Sequence, residues 1–306
     1  MKILVATEKP FAAAAIEMIR AVAEAEGHTL VLCENYKGTE ELHAAVAGAD
    51  ALIVRSDLVT SSLLDAAPGL RIVVRAGAGY DNLDLEACSR HNVVAMNTPG
   101  QNSNAVAELA FSMMLYNARG GFSGKSGTEL RGKTMGIHAF GNVGRYVAVI
   151  AKGFGMEVSA FDPFLKAGDI AENGVRPCTT ERELYSSCQY ISLHLPANDK
   201  TRKSVNFDLL SAMPEGAVLV NTARKEVIDE DGLLKMFELR KDFSYLSDVE
   251  PDCKQILEEK YRGRFIITAK KMGAQTEEAN INAGVAAAKQ IVDFFKTGNE
   301  KYRVNK

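Results

Sequence analysis

The segment Thr134-Met135-Gly136-Ile137-His138-Ala139-Phe140-Gly141-Asn142-Val143-Gly144-Arg145 has the spacing of a phosphate-binding turn between a strand and a helix. Glycine at 141 would let the backbone come close to a pyrophosphate. Glycine at 144 would let the helix pack tightly on the strand. With Asn142 and Val143 in its first turn, the helix presents free N–H groups and the positive end of its dipole to phosphate. Ala139 stands where the first glycine of G-x-G-x-x-G belongs, so a methyl group must fit where the turn is tightest. Asp162 ends the next strand, roughly 20 residues on. A carboxylate there accepts hydrogen bonds from the adenosine ribose hydroxyls and repels a 2′-phosphate, which predicts NAD rather than NADP.

Arg224 follows a buried apolar run, Ala217–Asn221, at the carboxyl end of a strand, where sheets of this kind bind ligands.

The elements that must carry these residues alternate along the chain. Strands are expected at Ile3–Thr7, Leu30–Cys33, Ala51–Arg55, Arg71–Arg75 and Val93–Asn97, with helices such as Ala12–Glu26 and Glu40–Ala47 between them. That pattern implies βαβ units and a parallel sheet. A long apolar helix, Asn104–Ala118, leads to a Gly-rich stretch over 119–124 that reads as a hinge or linker. A second series follows at Thr134–Ala139, Glu157–Phe161, Tyr190–Leu193, Ala217–Asn221, Ser244–Asp248 and Phe265–Thr268, and a last helix spans about Glu277–Lys296. The fold class is α/β with two Rossmann-like lobes.

With 306 residues there is room for two cores. The 46% apolar and 25% charged composition is that of a globular protein, and a net charge of −3 argues against general nucleic-acid binding. No apolar run is long enough for a membrane span. The five cysteines are scattered without a C-x-x-C pair, which suits reduced thiols and a cytoplasmic location.

The chain resembles the D-isomer-specific 2-hydroxyacid dehydrogenases, and among them the short 3-phosphoglycerate dehydrogenases without a regulatory domain. Beside the glycine turn, the resemblance rests on Val74-Arg75-Ala76-Gly77-Ala78-Gly79-Tyr80-Asp81-Asn82 and Asn97-Thr98-Pro99-Gly100-Gln101-Asn102-Ser103. It rests also on His194-Leu195-Pro196, Val220-Asn221-Thr222-Ala223-Arg224 and Gly273-Ala274-Gln275-Thr276. It implies a flavodoxin-like substrate lobe, residues 1–98 plus 274–306, and an inserted doubly wound NAD-binding lobe, residues 99–273. The substrate would lie in the cleft between lobes.

The resemblance also assigns roles. Arg224 would be the cation on the carboxylate and C2 oxygen. The family's histidine base is replaced by Lys271, a substitution that short phosphoglycerate dehydrogenases also carry. A free lysine, with pKa about 10.4, is a poor base at neutral pH; burial and Arg224 would lower it. Glu250 would be the carboxylate partner of the base, in a loop about three residues shorter than usual. Asp248 would hold the nicotinamide carboxamide, and His194, Pro196, Thr222 and Ala223 would line the cofactor site. Ala76 and Gly77 would offer N–H groups to the substrate carboxylate, Arg55 would bind a phosphate and Arg75 would support it. No metal is implied. The expected partner is a small phosphorylated 2-hydroxy acid. A homodimer is expected through the cofactor lobe and the helix bearing Met113, Met114 and Leu115.

Two other readings remain open at this point. One is a dehydrogenase for an unphosphorylated acid such as glyoxylate or hydroxypyruvate. The other is an NAD-sensing regulatory protein of the same fold.

Overall fold

The computed structural model describes residues 1–305, which form two compact units. The first takes Met1–Asn102 and residues 275–305; the second takes Ser103–Ala274.

The first unit holds one parallel sheet: β1 (Lys2–Thr7), β2 (Thr29–Glu34), β3 (Ala51–Val54), β4 (Ile72–Arg75) and β5 (Val94–Asn97). Their order, β2-β1-β3-β4-β5, is the flavodoxin-like one. Strands covered on both faces need no polar alternation, which is why β3 reads as the unbroken apolar run Ala51-Leu52-Ile53-Val54. Ile3, Val5, Ile53 and Val74 face the helices Ala13–Glu24 and Glu277–Thr297, while Leu4, Leu52 and Val73 face Leu42, Val46 and Leu63 on the other side. The long helix starts on Thr276, whose hydroxyl accepts from Ala279 N–H at 3.1 Å, and stops at Gly298 with φ 73°.

The second unit holds β6 (Thr134–His138), β7 (Glu157–Phe161), β8 (Arg176–Pro177), β9 (Tyr190–Leu193), β10 (Val218–Asn221), β11 (Ser244–Ser247) and β12 (Phe265–Ile267). The order β12-β11-β10-β9-β6-β7-β8 is that of the doubly wound dinucleotide fold, with its switch point between β6 and β9. Strand β8 was not foreseen. Two residues carry no periodicity, and Pro177 is tolerated because the strand lies at the sheet edge.

The stretch over 119–124 is not a linker. It lies inside the second unit as a 3₁₀ turn, Gly120–Phe122, directly after the helix Ser103–Ala118. Left-handed backbone at Gly120 and Gly121 (φ 59° and 65°) folds Phe122 edge-on to Tyr116, with ring centroids 5.1 Å apart. On the same helix Met113 and Met114 are buried in the unit's own core, so the apolar side chains facing out are those of Tyr116 and Phe122. No helix among the described residues is long and apolar enough to cross a membrane.

Candidate active site

The turn after β6 has the features a dinucleotide needs. The helix Asn142–Gly153 begins on Gly141, which has no side chain to cap it. The first-turn N–H groups therefore remain open to an anion. A Cβ on Gly141 would meet nothing within 4 Å, so the space above the helix end is clear. A Cβ on Gly144 would lie 2.6 Å from the Ala139 carbonyl, which forbids any side chain there. Ala139 adopts φ 76°, a left-handed backbone that glycine takes without cost. Its N–H is satisfied by Phe161 O at 2.9 Å, which fixes the turn against β7.

Asp162, half-buried at the end of β7, ties this turn down. Its Oδ2 accepts from Phe140 N–H and its Oδ1 from Phe164 N–H, both at 2.9 Å. Each carboxylate oxygen keeps a lone pair for a further donor. At the carboxyl ends of β9, β10 and β11, three buried polar atoms lack a hydrogen-bond partner: His194 Nε2, Thr222 Oγ1 and Asp248 Oδ1. An unpaired buried polar atom costs roughly 1–3 kcal/mol. Three on successive strands, beside an open helix N-terminus, fit a polar ligand such as NAD. Pro196 closes the loop after β9 by accepting Thr201 Oγ1 at 2.5 Å. The His194 imidazole is held neutral, with its pKa lowered to about 3 by burial and by the neighbouring His138.

Two of the cationic side chains expected in the site meet on one carbonyl. Arg224 Nη1 donates to Ala223 O at 2.9 Å, and Lys271 Nζ donates to the same oxygen at 2.9 Å. Asn221, fully buried, shapes the turn that makes this possible. Its Oδ1 accepts Ala223 N–H at 3.0 Å and its Nδ2 donates to Arg224 O at 3.0 Å. The motif Val-Asn-Thr-Ala-Arg contained this support, but the turn has no sequence signature apart from the asparagine itself.

Two carboxylates follow β11, and the structure gives them different surroundings. Asp248 is buried, and its Oδ2 accepts Met272 N–H at 3.2 Å and Gly273 N–H at 2.7 Å. It therefore holds the segment immediately after Lys271. Burial raises its pKa, opposed by those N–H groups and by the charges of Lys271 and Arg224. Glu250, assigned from sequence as the partner of the base, is engaged elsewhere. Its Oε2 pairs with Lys254 Nζ at 2.6 Å, with 61% of the glutamate side chain exposed. The shortened loop ends in the helix Lys254–Lys260, and that i,i+4 pair claims the carboxylate. Lys271 is itself exposed, not buried as the sequence suggested.

In the first unit, the N–H groups assigned to a carboxylate are already spent. Ala76 N–H donates to Val54 O at 2.8 Å and Gly77 N–H to Arg75 O at 2.9 Å. Ala78 and Gly79 N–H make no hydrogen bond among the described residues, and their neighbourhood is fixed by Asn97 Nδ2 on Ala78 O (2.6 Å) and Thr98 N–H on Gly77 O (3.0 Å). Sequence could not tell 76 and 77 from 78 and 79, because only the end of the β3–β4 ladder decides which N–H groups are taken. Gly77 is required here: at φ 152°, a Cβ would lie 1.5 Å from Arg75 Nη1. Arg75 Nε donates to Arg55 O at 3.0 Å. Arg55 lies over the Phe11 ring at 5.0 Å and donates to Lys9 O, Pro10 O and Asn280 Oδ1. Burial lowers its pKa, opposed by Asp57 and Glu34.

Residues 107–260 match the NAD binding domain of the D-isomer specific 2-hydroxyacid dehydrogenases. A hydroxypyruvate reductase from Thermotoga maritima is 33% identical over 269 residues, 82% of this chain and 87% of that protein. The human D-3-phosphoglycerate dehydrogenase is 35% identical over 274 residues, covering 84% of this chain but 51% of that protein; the match thus spans about half of its length. An NAD⁺-bound 3-phosphoglycerate dehydrogenase from Entamoeba histolytica superimposes with a TM-score of 0.87 at 46% identity, covering 100% of this chain and 99% of that one. The chain is therefore a member of the D-isomer specific 2-hydroxyacid dehydrogenases, with NAD as the family cofactor.

Proposed function

We propose that this protein oxidises 3-phosphoglycerate to 3-phosphohydroxypyruvate, the entry reaction of phosphorylated serine biosynthesis. The observation that carries the substrate is the full-length likeness to the Entamoeba histolytica enzyme at 46% identity. When bound, NAD would supply the hydride acceptor for C2. The helix end at Asn142–Gly144 and the Asp162 carboxylate would hold its phosphates and ribose, and Asp248 its carboxamide. Thr222, Ala223, His194 and Pro196 would line the rest of that site.

Arg224 would hold the substrate carboxylate and the C2 oxygen through its guanidinium. Lys271, neutral, would take the hydroxyl proton onto Nζ; as the ammonium it would return that proton in the reduction. The support for both roles is their convergence on Ala223 O. In the first unit, Ala78 and Gly79 N–H are the proposed carboxylate donors and Arg55 a phosphate ligand.

A second reading, reduction of hydroxypyruvate or glyoxylate, draws on the Thermotoga maritima relative and on the protein contacts that occupy much of the Arg55 guanidinium. A panel of 3-phosphoglycerate, D-glycerate, hydroxypyruvate, glyoxylate and D-lactate, followed through NADH absorbance, separates these readings. Turnover of none of them would favour an NAD-sensing role. Phe122, 69% exposed, and Tyr116, 42% exposed, support a homodimer through the second unit. Sedimentation at micromolar concentration checks that state, and a monomer would exclude it.

A further inference from the structure

The loop after β1 is held more firmly than a connection requires. Arg55 Nη1 donates to Lys9 O and to Pro10 O, each at 3.1 Å. The Thr7 hydroxyl donates to Lys9 O at 2.8 Å. Glu8 N–H donates to Asp57 Oδ1 at 2.7 Å, and Phe11 N–H to Glu34 Oε1 at 3.0 Å. These contacts fix the backbone of Lys9 at the carboxyl end of β1, next to β3, which delivers Arg55. The Lys9 side chain is exposed and forms no ion pair among the described residues. The carboxylate beneath the loop, Asp57, is occupied by Glu8 N–H, Arg55 N–H and the Tyr36 hydroxyl.

A guanidinium has five N–H donors. Arg55 spends two on Lys9 O and Pro10 O and a third on Asn280 Oδ1. A phosphate monoester offers three acceptor oxygens and about −1.5 to −2 of charge at neutral pH. The two remaining donors and single positive charge of Arg55 meet only part of that demand, and Arg75, assigned to support it, commits its Nε to Arg55 O. We propose that Lys9 supplies the second cation for the substrate phosphate, and that Arg55 acts both as a ligand and as the clamp fixing the Lys9 backbone. Lysine suits this task as a compact point charge. The inference rests on the phosphorylated-substrate reading given above.

The test compares kcat/KM for 3-phosphoglycerate and for D-glycerate in the wild type, Lys9→Met and Lys9→Arg. The wild type should prefer the phosphorylated acid. Lys9→Met should reduce that preference roughly tenfold or more, chiefly through KM for 3-phosphoglycerate. Lys9→Arg should retain most of it. The thermal midpoint of Lys9→Met should match the wild type, which separates lost binding from lost folding. An unchanged preference in Lys9→Met, beside a wild type that favours the phosphorylated acid, would overturn the role of Lys9 and leave the substrate reading standing. A wild type without any phosphate preference would overturn both.

Discussion

Arg224 and Lys271 donate to one and the same acceptor, the carbonyl oxygen of Ala223, each at 2.9 Å. Two cations far apart in the chain are thus brought together by a backbone group in the turn after β10. Asn221 sets that turn from one side, and Asp248 sets the segment after Lys271 from the other. The same carbonyl that gathers the two cations also orients the lysine amine.

If Lys271 is the base, hydroxy-acid oxidation requires its neutral form and should speed up as pH rises toward an alkaline limb. Reduction uses the ammonium as acid and should slow over the same range. Lys271→Met removes the titrating group and should lower kcat roughly a hundredfold, with little change in NAD affinity. Lys270→Met is the control, since the Lys270 backbone carbonyl, which the substitution keeps, accepts Thr268 Oγ1. Damage from Lys270→Met with a near-normal Lys271→Met would move the base by one residue. Full activity in both would remove the lysine base.

Asp162 should set cofactor preference. Replacing it by Ala removes the ribose acceptor and also releases Phe140 and Phe164 N–H. NAD binding should weaken about tenfold relative to NADP, the scale of one charged hydrogen bond. Titration calorimetry with each cofactor reads the ratio. A wild type that binds NADP as well as NAD would contradict the assignment.

Ala139 carries φ 76° in the cofactor turn. Left-handed backbone costs a non-glycine residue roughly 1–2 kcal/mol, offset in part by the greater unfolded-state freedom of glycine. Ala139→Gly should therefore stabilise the protein by up to about 1 kcal/mol and raise the thermal midpoint by roughly 2–4 °C. A lower midpoint would mean that the methyl group packs usefully in the turn.

His194 should contribute an acid-sensitive component to stability. Its pKa falls from 6.5 to about 3 on folding, because burial and His138 disfavour the imidazolium. The unfolded chain therefore binds the extra proton first. The contribution is complete above about pH 6.5 and is lost progressively as pH falls toward 3. Denaturation midpoints across this window should fall less steeply in His194→Gln than in the wild type. Parallel slopes would show that His194 titrates normally in the folded state.

The sequence by itself determined the alternation of strands and helices, because strands buried on both faces and helices packed on a parallel sheet leave continuous apolar runs and strong breaks. It also placed the glycine turn, Asp162 and Arg224 at fixed offsets from such runs, while Lys271 was singled out by the resemblance to the family. It could not decide which polar groups remain available once neighbouring chain segments take their share. Ala76 and Gly77 N–H are consumed by the β3 ladder and a local turn, and Glu250 by Lys254 one helical turn away. Three donors of Arg55 go to Lys9, Pro10 and Asn280. Nor could the sequence show that the glycines at 120 and 121 fold back on Tyr116 inside the second unit rather than linking two units. Hydrogen-bond capacity is finite, and residues distant in the chain compete for it. Only the tertiary structure settles that competition.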